Sequence, residues 1–337
     1  MNEPVLSVRD LSTSFLTPYG PVTAGHGVAF DVAPGEIVGI VGESGCGKSV
    51  LAMSLMRLHP ERTTAYAGSI RLNGVELLGL GEEEMRRIRG SVISMIFQDP
   101  QSSLNPLTRV GAQLDEVSLL HTDMDKAGAR RRSIELLESV GIPDAEGCVH
   151  KYPHQLSGGM RQRVMIAMAL ACNPLLLIAD EPTTALDVRV QAQILDVLRK
   201  LNESRGTAIV FISHDLAIVS ELCSRVLVMY LGEVVEDASA RDLFTEPLHP
   251  YTRGLIAALP DLQTDPSQDL FSVPGTVPTL DRIPRGCRFS TRCSFVTERC
   301  RVESPDLVER GGHAVRCWNV DAVVGGESDE LQEVVRG

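Results

Sequence analysis

The chain has 337 residues, of which 43% are hydrophobic and 23% are charged. This composition supplies the cores of roughly two or three domains and excludes a disordered or fibrous chain. The formal net charge of −12 disfavours a protein that chiefly grips nucleic-acid phosphates, and the lack of a long uninterrupted apolar run disfavours a membrane-spanning one.

Segments rich in apolar and β-branched residues alternate with helical patterns through the first two thirds of the chain. Continuously apolar strands are typical of a parallel sheet covered on both faces, so this alternation predicts an α/β core. The predicted strands are Glu36–Val41, Val92–Phe97, Leu175–Ala179, Ala208–Ser213 and Val226–Met229. The predicted helices are Lys48–Leu58, Lys126–Val140, Gly158–Ala171, Val188–Glu203 and Leu216–Leu222.

The character of the sequence changes near residue 245. Seven prolines lie between Thr245 and Pro284, which predicts a linker or an irregular segment. Four of the eight cysteines lie in residues 285–318, and residues 319–337 are acidic and contain glycine. We therefore expect an α/β domain over 1–245, a cysteine-rich extension over 246–318 and a flexible acidic tail over 319–337.

A phosphate-binding motif follows the predicted strand that ends at Val41. Residues 42–49, which we call the phosphate loop, read Gly42-Glu43-Ser44-Gly45-Cys46-Gly47-Lys48-Ser49 and fit the pattern G-x-x-x-x-G-K-[ST]. Glycines let backbone N–H groups point at phosphate oxygens, and the helix that follows presents its positive N-terminus to the same anion. Lys48 is then expected to bridge the β- and γ-phosphates, and the Ser49 hydroxyl to ligate Mg²⁺. A glycine-rich turn with a chance lysine is the structural alternative.

Two acids end another buried strand. Asp180 and Glu181 follow the apolar run that begins at Leu175, and open α/β sheets place their ligands at the carboxyl ends of strands. Asp180 is therefore expected to hold Mg²⁺, and Glu181 to orient or deprotonate an attacking water. Solvated acids at a strand end are common by themselves, but a phosphate loop in the same chain favours the catalytic interpretation.

The sequence between these motifs resembles that of a known family. Leu156-Ser157-Gly158-Gly159-Met160-Arg161-Gln162-Arg163 resembles the signature sequence of the ATP-binding cassette (ABC) family. Further motifs resemble the family's Q-loop (Phe97-Gln98-Asp99-Pro100), D-loop (Ala185-Leu186-Asp187) and switch histidine (Ser213-His214-Asp215), in the family's order. The resemblance implies a P-loop ABC ATPase core, with a RecA-like parallel sheet, an antiparallel β subdomain and a helical signature subdomain over 98–171.

The resemblance also implies roles for individual residues. In the family two such domains pack head to tail, and each signature covers the γ-phosphate held by the partner's phosphate loop. Glu181, His214 and Lys48 are the expected catalytic residues, and Ser49, Gln98 and Asp180 are the expected Mg²⁺ ligands. The expected ATP contacts are Gly42, Ser44, Gly45, Cys46, Gly47, Lys48, Ser49, Val50, Gln98, Ser157, Gly158, Gly159, Asp187 and His214. For His214 taken alone, a purely structural histidine is the alternative.

An aromatic side chain near the N-terminus is expected to stack on adenine. Phe15 and Tyr19 both lie in the right region of the sequence. We prefer Phe15 because it ends the first strand-like segment. Ordinary packing is the alternative for either residue.

Two further strings resemble the oligopeptide, dipeptide and nickel importer branch of the family. They are Phe97–Pro106 and Leu248–Leu255. The resemblance implies the ATP-hydrolysing subunit of a peptide importer, peripheral at the cytoplasmic face of the cell membrane. Its implied partners are a second ATPase subunit, identical or related, two transmembrane permease subunits and an extracytoplasmic solute-binding protein. The alternatives are nickel or another small solute as cargo, or a soluble cassette protein that acts on nucleic acid or the ribosome, although no nucleic-acid partner is expected.

The cysteines of the extension resemble those of peptide-importer ATPases. Cys287, Cys293, Cys300 and Cys317 are separated by 5, 6 and 16 residues. Some members of that group carry a [4Fe–4S] cluster there, so the resemblance implies one. Four thiolates suit such a cluster, the close C-x₂-C pairs usual in structural zinc sites are missing, and residues 282–317 hold eight arginines against four acids. Zinc, reduced thiols or an adventitious disulfide remain alternatives.

Overall fold

The computed structural model describes residues 3–184, 186–259, 272–280 and 282–325, with the side chains of residues 101 and 102 left out. The strands are β1 (Leu6–Thr17), β2 (Gly20–Val32), β3 (Ile37–Val41), β4 (Thr64–Leu72), β5 (Val75–Glu76), β6 (Ile93–Ile96), β7 (Leu176–Asp180), β8 (Ala208–Ile212), β9 (Arg225–Tyr230), β10 (Glu233–Ser239), β11 (Val308–Glu309) and β12 (Ala314–Val315). The helices are α1 (Lys48–Leu55), α2 (Glu82–Ile88), α3 (Pro100–Ser103), α4 (Val110–His121), α5 (Lys126–Ser139), α6 (Ala145–Cys148), α7 (Gly158–Ala169), α8 (Val188–Arg205), α9 (Leu216–Leu222), α10 (Ala240–Thr245), α11 (Pro250–Ala257), α12 (Glu298–Val302) and α13 (Val320–Gly325).

The described residues divide into two compact units. We call residues 3–8, 30–37, 69–184 and 186–212 the signature unit. We call residues 9–29, 38–68, 213–259, 272–280 and 282–325 the phosphate-loop unit. Each unit carries a different part of the predicted site, and each is described by itself below.

The signature unit contains parallel strands in the order β8-β7-β6. Every residue of these three strands is buried, which explains why each is a short continuous apolar run in the sequence. Helix α5 packs on α4 and on α7. An ion pair joins α5 to α4, with Arg130 Nη2 2.6 Å from Asp115 Oδ2.

The phosphate-loop unit contains strands in the order β11-β12-β10-β9-β3. Strand β9 is parallel to β3, whereas β10 runs antiparallel to both β9 and β12. Strands β3 and β9 are almost entirely buried, so the loop that follows Val41 begins from a fixed backbone. In the signature unit, the end of β4 pairs antiparallel with β5, through Arg71 with Glu76 and Leu72 with Val75.

The elements predicted from the sequence are present, with ends that differ by up to three residues. Helix α1 ends at Leu55 rather than at Leu58. Arg57 has a φ of 49°, a left-handed conformation that does not continue an α-helix. Helix α8 runs on to Arg205 and ends where Gly206 takes a φ of 67°, as expected for a glycine just beyond a helix.

The extension over 246–318 is more regular than predicted. It contains α11, α12 and a short strand pair, and β12 is paired to β10. Its prolines were expected to break regular elements, but Pro250 starts α11 at a position where proline is favourable. The segment 319–337, predicted to be a flexible tail, begins with α13, whose Val320 and Val323 are buried. Residues 326–337 lie outside the described residues.

Candidate functional site

The phosphate loop turns sharply between β3 and α1. Gly42 has a φ of 153°, and a Cβ atom built there would lie 2.3 Å from the Met229 carbonyl oxygen. Gly47 has a φ of 103° and caps the N-terminus of α1. Only glycine fits the first position, and the second is strained for any other residue. The loop is therefore held close to β9 with its backbone curled in front of a helix N-terminus, the arrangement that binds phosphate.

Lys48 lies inside this loop. Its side chain is buried, and its Nζ donates to the carbonyl oxygens of Gly42 and Glu43 at 2.7 and 3.1 Å. Ser49 and Val50 follow in the first turn of α1 and are half-buried. The ammonium thus lies beside the backbone of the loop, next to the first turn of α1.

Cys46 supplies a small buried side chain to the loop. Cys46 is 1% exposed, and burial raises the pKa of its thiol above the usual value. The thiol is therefore neutral at physiological pH, which disfavours a redox role for it. Ser44 and Gly45 are exposed at the tip of the loop.

Phe15 and Tyr19 occupy different surroundings. The ring of Phe15 meets the ring of His59 edge-on, with centroids 5.0 Å apart, and His59 Nε2 lies 3.0 Å from the Val50 carbonyl oxygen. Tyr19 is fully exposed in the turn between β1 and β2. Phe15 is therefore connected to helix α1 through His59, whereas Tyr19 stands at the tip of a turn.

The backbone on both sides of His214 is fixed. The Ser213 N–H donates to the Ile40 carbonyl at 3.2 Å. The Asp215 N–H donates to Ser213 Oγ at 2.9 Å, and the Asp215 carboxylate caps α9. The His214 side chain is exposed, so the chain presents an imidazole to solvent from a rigid turn.

In the signature unit, β7 ends in the two predicted acids. Asp180 is the last residue of β7 and is 3% exposed. Glu181 takes a φ of 46°, a left-handed conformation that costs a non-glycine residue energy and is often found at functional sites. Its N–H donates to the Ile212 carbonyl at 2.9 Å, so the turn is anchored to β8.

Two side chains position the Glu181 carboxylate. Gln98 Nε2 donates to Glu181 Oε2 at 2.8 Å, and Thr184 Oγ1 donates to the same oxygen at 3.0 Å. The structure therefore brings Gln98 and Glu181 together, two residues that the sequence placed in separate motifs. Thr184 was missed, and its only signal in the sequence is its position three residues after Glu181.

The signature segment begins helix α7. Ser157 caps this helix by accepting the Met160 N–H at 3.3 Å. Gly158 is exposed, and a Cβ built there would meet no atom within 4 Å among the described residues. Gly159 is closer to its surroundings, since a Cβ there would lie 3.3 Å from Val190 Cγ1. Packing within the chain thus does not require a glycine at position 158.

One polar contact connects the signature segment to the turn that follows β7, and an acid of the predicted D-loop caps the next helix. Gln162 is 2% exposed, and its Nε2 donates to the Pro182 carbonyl at 2.6 Å. Asp187 caps α8 by accepting the Val190 N–H at 2.9 Å. Gln162 was not predicted as a site residue, yet it fixes α7 to the turn that carries Glu181. Ala185, part of the predicted D-loop, lies outside the described residues.

The four cysteines of the extension are grouped in the phosphate-loop unit. Burial, reinforced by the neighbouring thiols, raises the pKa of Cys287 to about 11 and that of Cys293 to about 12. Asn319 donates to two of the sulfurs, from its N–H to Cys317 Sγ at 3.4 Å and from Nδ2 to Cys300 Sγ at 3.5 Å. Across the described ranges, however, no three or more His, Cys, Asp or Glu side chains are placed to hold a metal ion.

Comparison with known proteins identifies the family. Residues 26–184 match the family model described as ABC transporter, and residues 235–300 match that described as oligopeptide/dipeptide transporter, C-terminal region. A probable peptide ABC transporter ATP-binding protein of Sinorhizobium fredii is 50% identical over 322 residues, which cover 95% of this chain and 96% of the relative. The chain belongs to the ABC transporter family. It is an ATPase of that family, and ATP and Mg²⁺ are its substrate and metal.

Other ABC transporter proteins are similar along most of the chain. The oligopeptide transport ATP-binding protein AppD of Bacillus subtilis is 48% identical over 93% of this chain and 96% of its own. OppD of Escherichia coli, with the same description, is 50% identical over 89% of both chains. A solved dimeric ATP-binding cassette in a post-hydrolysis state, bound to ADP and Pi, superposes with a TM-score of 0.64 and 29% identity over 70% of this chain and 99% of that one.

These similarities establish the ABC ATPase fold with its mixed α/β sheets. Among the helices that the structure describes, none is both long and apolar enough to cross a membrane.

Proposed function

We propose that this chain is the ATP-hydrolysing subunit of a peptide importer. The observation that carries the proposal is that one chain joins an ABC cassette to the oligopeptide/dipeptide transporter C-terminal region. Relatives similar along nearly the whole chain are named as peptide transport ATP-binding proteins. ATP binding closes a pair of such subunits, hydrolysis reopens them, and the movement drives the permeases to which they bind.

The predicted residues have distinct roles in hydrolysis. Lys48 and the loop N–H groups bind the β- and γ-phosphates, and Ser49, Asp180 and Gln98 would hold Mg²⁺, which neutralises phosphate charge when bound. Glu181 orients the attacking water and accepts its proton, while Gln98 and Thr184 hold the Glu181 carboxylate in place. The water oxygen bonds to the γ-phosphorus as the bond to the bridging oxygen breaks, which yields ADP and phosphate. His214 contacts the γ-phosphate, and Phe15 rather than Tyr19 stacks on adenine.

The glycine at position 158 supports a paired assembly. Among the described residues nothing packs beside it, but a phosphate brought to the N-terminus of α7 would need close backbone approach. We infer that Ser157, Gly158, Gly159 and Asp187 contact nucleotide bound by a second ATPase subunit, identical or related. The full importer would add two permease subunits and an extracytoplasmic solute-binding protein, with this chain on the cytoplasmic face of the membrane.

The four cysteines are proposed to hold a [4Fe–4S] cluster, with zinc as the alternative. Their chemistry suits such a cluster, because four thiols are neighbours and two of them, Cys300 and Cys317, accept N–H hydrogen bonds, as ligating sulfurs do. The thiols are not arranged as a metal site in the described structure, so cluster binding would draw them together. Metal binding would then stabilise the folded extension. On this view the chain divides into 1–245, with the helical part over 98–171, and 246–318, followed by the tail 319–337.

An assay of metal content tests the cluster. Protein purified without oxygen should be brown and contain about four irons and about four sulfides per chain. The Cys293→Ser variant should lose most of this iron, whereas Cys172→Ser, outside the extension, should keep it. A colourless preparation loaded with zinc would support the alternative and contradict the iron–sulfur proposal.

Isolation of the intact complex from the membrane tests the function. The chain should copurify with two permeases, and peptides delivered by the solute-binding protein should stimulate its ATPase activity several-fold. If nickel stimulates the ATPase activity and peptides do not, the cargo would be nickel or another small solute and not a peptide. Copurification with ribosomes or DNA in place of permeases would contradict the importer assignment.

A further inference from the structure

Glu43, the second residue of the phosphate loop, is held through its N–H, its carbonyl and its carboxylate. The N–H donates to Tyr251 Oη at 2.8 Å. The carbonyl accepts from Lys48 Nζ at 3.1 Å and from the Cys46 N–H at 3.2 Å. The carboxylate accepts two hydrogen bonds from Arg292, Nη1 to Oε2 at 2.6 Å and Nη2 to Oε1 at 3.0 Å. One residue therefore connects the phosphate-binding lysine to two residues of the C-terminal extension.

Arg292 is itself tightly held. Its side chain is 3% exposed, against 29% for Glu43. Nε donates to the Pro274 carbonyl at 2.8 Å and Nη2 to the Val273 carbonyl at 3.0 Å. The guanidinium carbon lies 5.8 Å from the ring centre of Tyr230. A buried guanidinium that donates two parallel hydrogen bonds to one carboxylate forms the most directional ion pair available to side chains.

The second anchor, Tyr251, is equally constrained. It is completely buried in α11, and its ring packs against Tyr230 and Phe289, with centroids 4.8 and 5.4 Å away. The Tyr251 hydroxyl accepts a hydrogen bond from the Glu43 N–H, so this amide points toward the extension. Neither anchor can move without disturbing an aromatic cluster.

We propose that Arg292 is a positioning residue for ATP: with Tyr251 it fixes Glu43, and through the Glu43 carbonyl it sets the place of the Lys48 ammonium. Arg292 also cancels the charge of a carboxylate that otherwise stands beside a polyanionic substrate. The extension thereby becomes part of the nucleotide site. This inference rests on the proposed function, since it requires that the phosphate loop bind ATP.

Charge cancellation explains why an acid is tolerated in a phosphate loop. An unpaired carboxylate near the triphosphate repels it, and unpaired like charges at a binding site are costly. In the Arg292→Ala variant Glu43 keeps its charge and loses its fixed position. Both changes weaken ATP binding, whereas neither removes a group that acts on the γ-phosphate.

The test is ATP binding and turnover by the full-length chain. Calorimetric titration with Mg·ATP should show that Arg292→Ala raises the Kd at least about tenfold, and the KM for ATP should rise with it while kcat changes little. Arg292→Lys keeps the charge but loses the bidentate geometry, so its Kd should lie between those of the wild type and Arg292→Ala. The double variant Glu43→Gln, Arg292→Ala removes the repelling carboxylate and should bind ATP more tightly than Arg292→Ala.

Arg316→Ala is the matched control. Arg316 also lies in the extension and donates to two carbonyls, Val234 and Pro305, at 3.0 and 2.9 Å, but its described contacts do not include the phosphate loop. It should lower Tm and leave the Kd for ATP unchanged. An Arg292→Ala protein that binds ATP like a binding-competent wild type would overturn the proposal. If Arg292→Ala does not fold, an unchanged Kd for ATP in Arg292→Lys would also overturn the proposal. Failure of the wild type to bind ATP would instead refute the proposed function.

Discussion

At the scale of single residues, the most informative feature is the strained turn at Glu181. A left-handed glutamate persists only when its surroundings hold it there, and here the Ile212 carbonyl, Gln98 and Thr184 do so. Such a carboxylate is fixed before substrate arrives, which is what a residue that orients water requires.

The Glu181→Gln variant should bind ATP and fail to hydrolyse it. The amide keeps the size of the side chain but cannot accept a proton, so kcat should fall by about 10²–10⁴-fold while the Kd for ATP stays near the wild-type value. Single-turnover hydrolysis and ATP titration measure the two quantities. Glu203→Gln, an exposed glutamate on α8, is the matched control and should behave as wild type. Wild-type turnover by Glu181→Gln would remove its assignment as the base.

The Gly158→Ala variant shows whether glycine is needed at this position for the single chain to fold or for the assembled complex to hydrolyse ATP. An alanine fits at this position without contact to any described residue, so Tm should be unchanged or slightly higher. ATPase activity of the assembled complex should nevertheless fall at least about tenfold, because the methyl group intrudes where a partner's nucleotide would lie. Gly79→Ala is the control, since a Cβ there also meets no atom within 4 Å in the described part of the chain. Full activity of Gly158→Ala would contradict the role of the signature in a dimer.

At the scale of elements, helix α11 joins the extension to the phosphate loop and begins at a buried histidine. His249 is 2% exposed, and its Nδ1 accepts the Tyr251 N–H at 3.1 Å. Burial lowers the pKa of His249 to about 4, against an opposing effect of the buried Glu236. The imidazole therefore caps the helix in its neutral form.

This cap predicts a loss of stability in acid. The pKa of His249 is lower in the folded than in the unfolded chain, where it is about 6.5, so the unfolded chain takes up the proton first. The stabilisation that neutral His249 contributes is complete above pH 6.5. As the pH falls toward 4 it is lost, which lowers the free energy of unfolding by up to about 3 kcal/mol. His249→Asn keeps a capping oxygen and does not titrate. Its Tm should fall less than that of the wild type between pH 7 and pH 4.5, and equal falls would show that His249 is not responsible.

Most strands and helices could be predicted because burial and helix capping leave clear patterns in the sequence. Buried parallel strands such as β7 and β8 are uniform apolar runs, and caps such as Asp187 and Gly206 mark the ends of α8. Helix α11 was missed because Pro250 reads as a breaker until its position at the helix start is known. The phosphate loop was predictable because one short segment contains all its chemistry. Neither Gln98 with Glu181 nor Glu43 with Arg292 was predictable as a pair, since each partner lies far away in sequence.

At the scale of the whole molecule, the cysteines of the extension are connected to the phosphate loop through Arg292. Cys293 directly follows Arg292 in the sequence, so a metal centre at the cysteines would fix the segment that holds Glu43. Loss of the centre would loosen the segment and, with it, the position of Lys48. The extension is then a support for the nucleotide site and not a separate appendage.

Removal of the proposed [4Fe–4S] cluster should therefore affect nucleotide binding as well as stability. Anaerobic treatment with a chelator and an oxidant should lower Tm by several degrees and raise the Kd for ATP. The same treatment of Cys293→Ser, which should not hold a cluster, should change neither quantity further. An unchanged Kd after complete loss of iron would show that the cluster and the phosphate loop are independent.

The contact between Glu43 and Arg292 also bears on how the protein is made. Arg292 stands 249 residues after Glu43, so the ribosome adds it roughly 10 to 50 seconds later at ordinary rates of synthesis. A nascent chain with a complete cassette would still lack the guanidinium that holds its loop. Full affinity for ATP would thus arrive only after Arg292 has been added, and chains terminated before it would bind ATP more weakly.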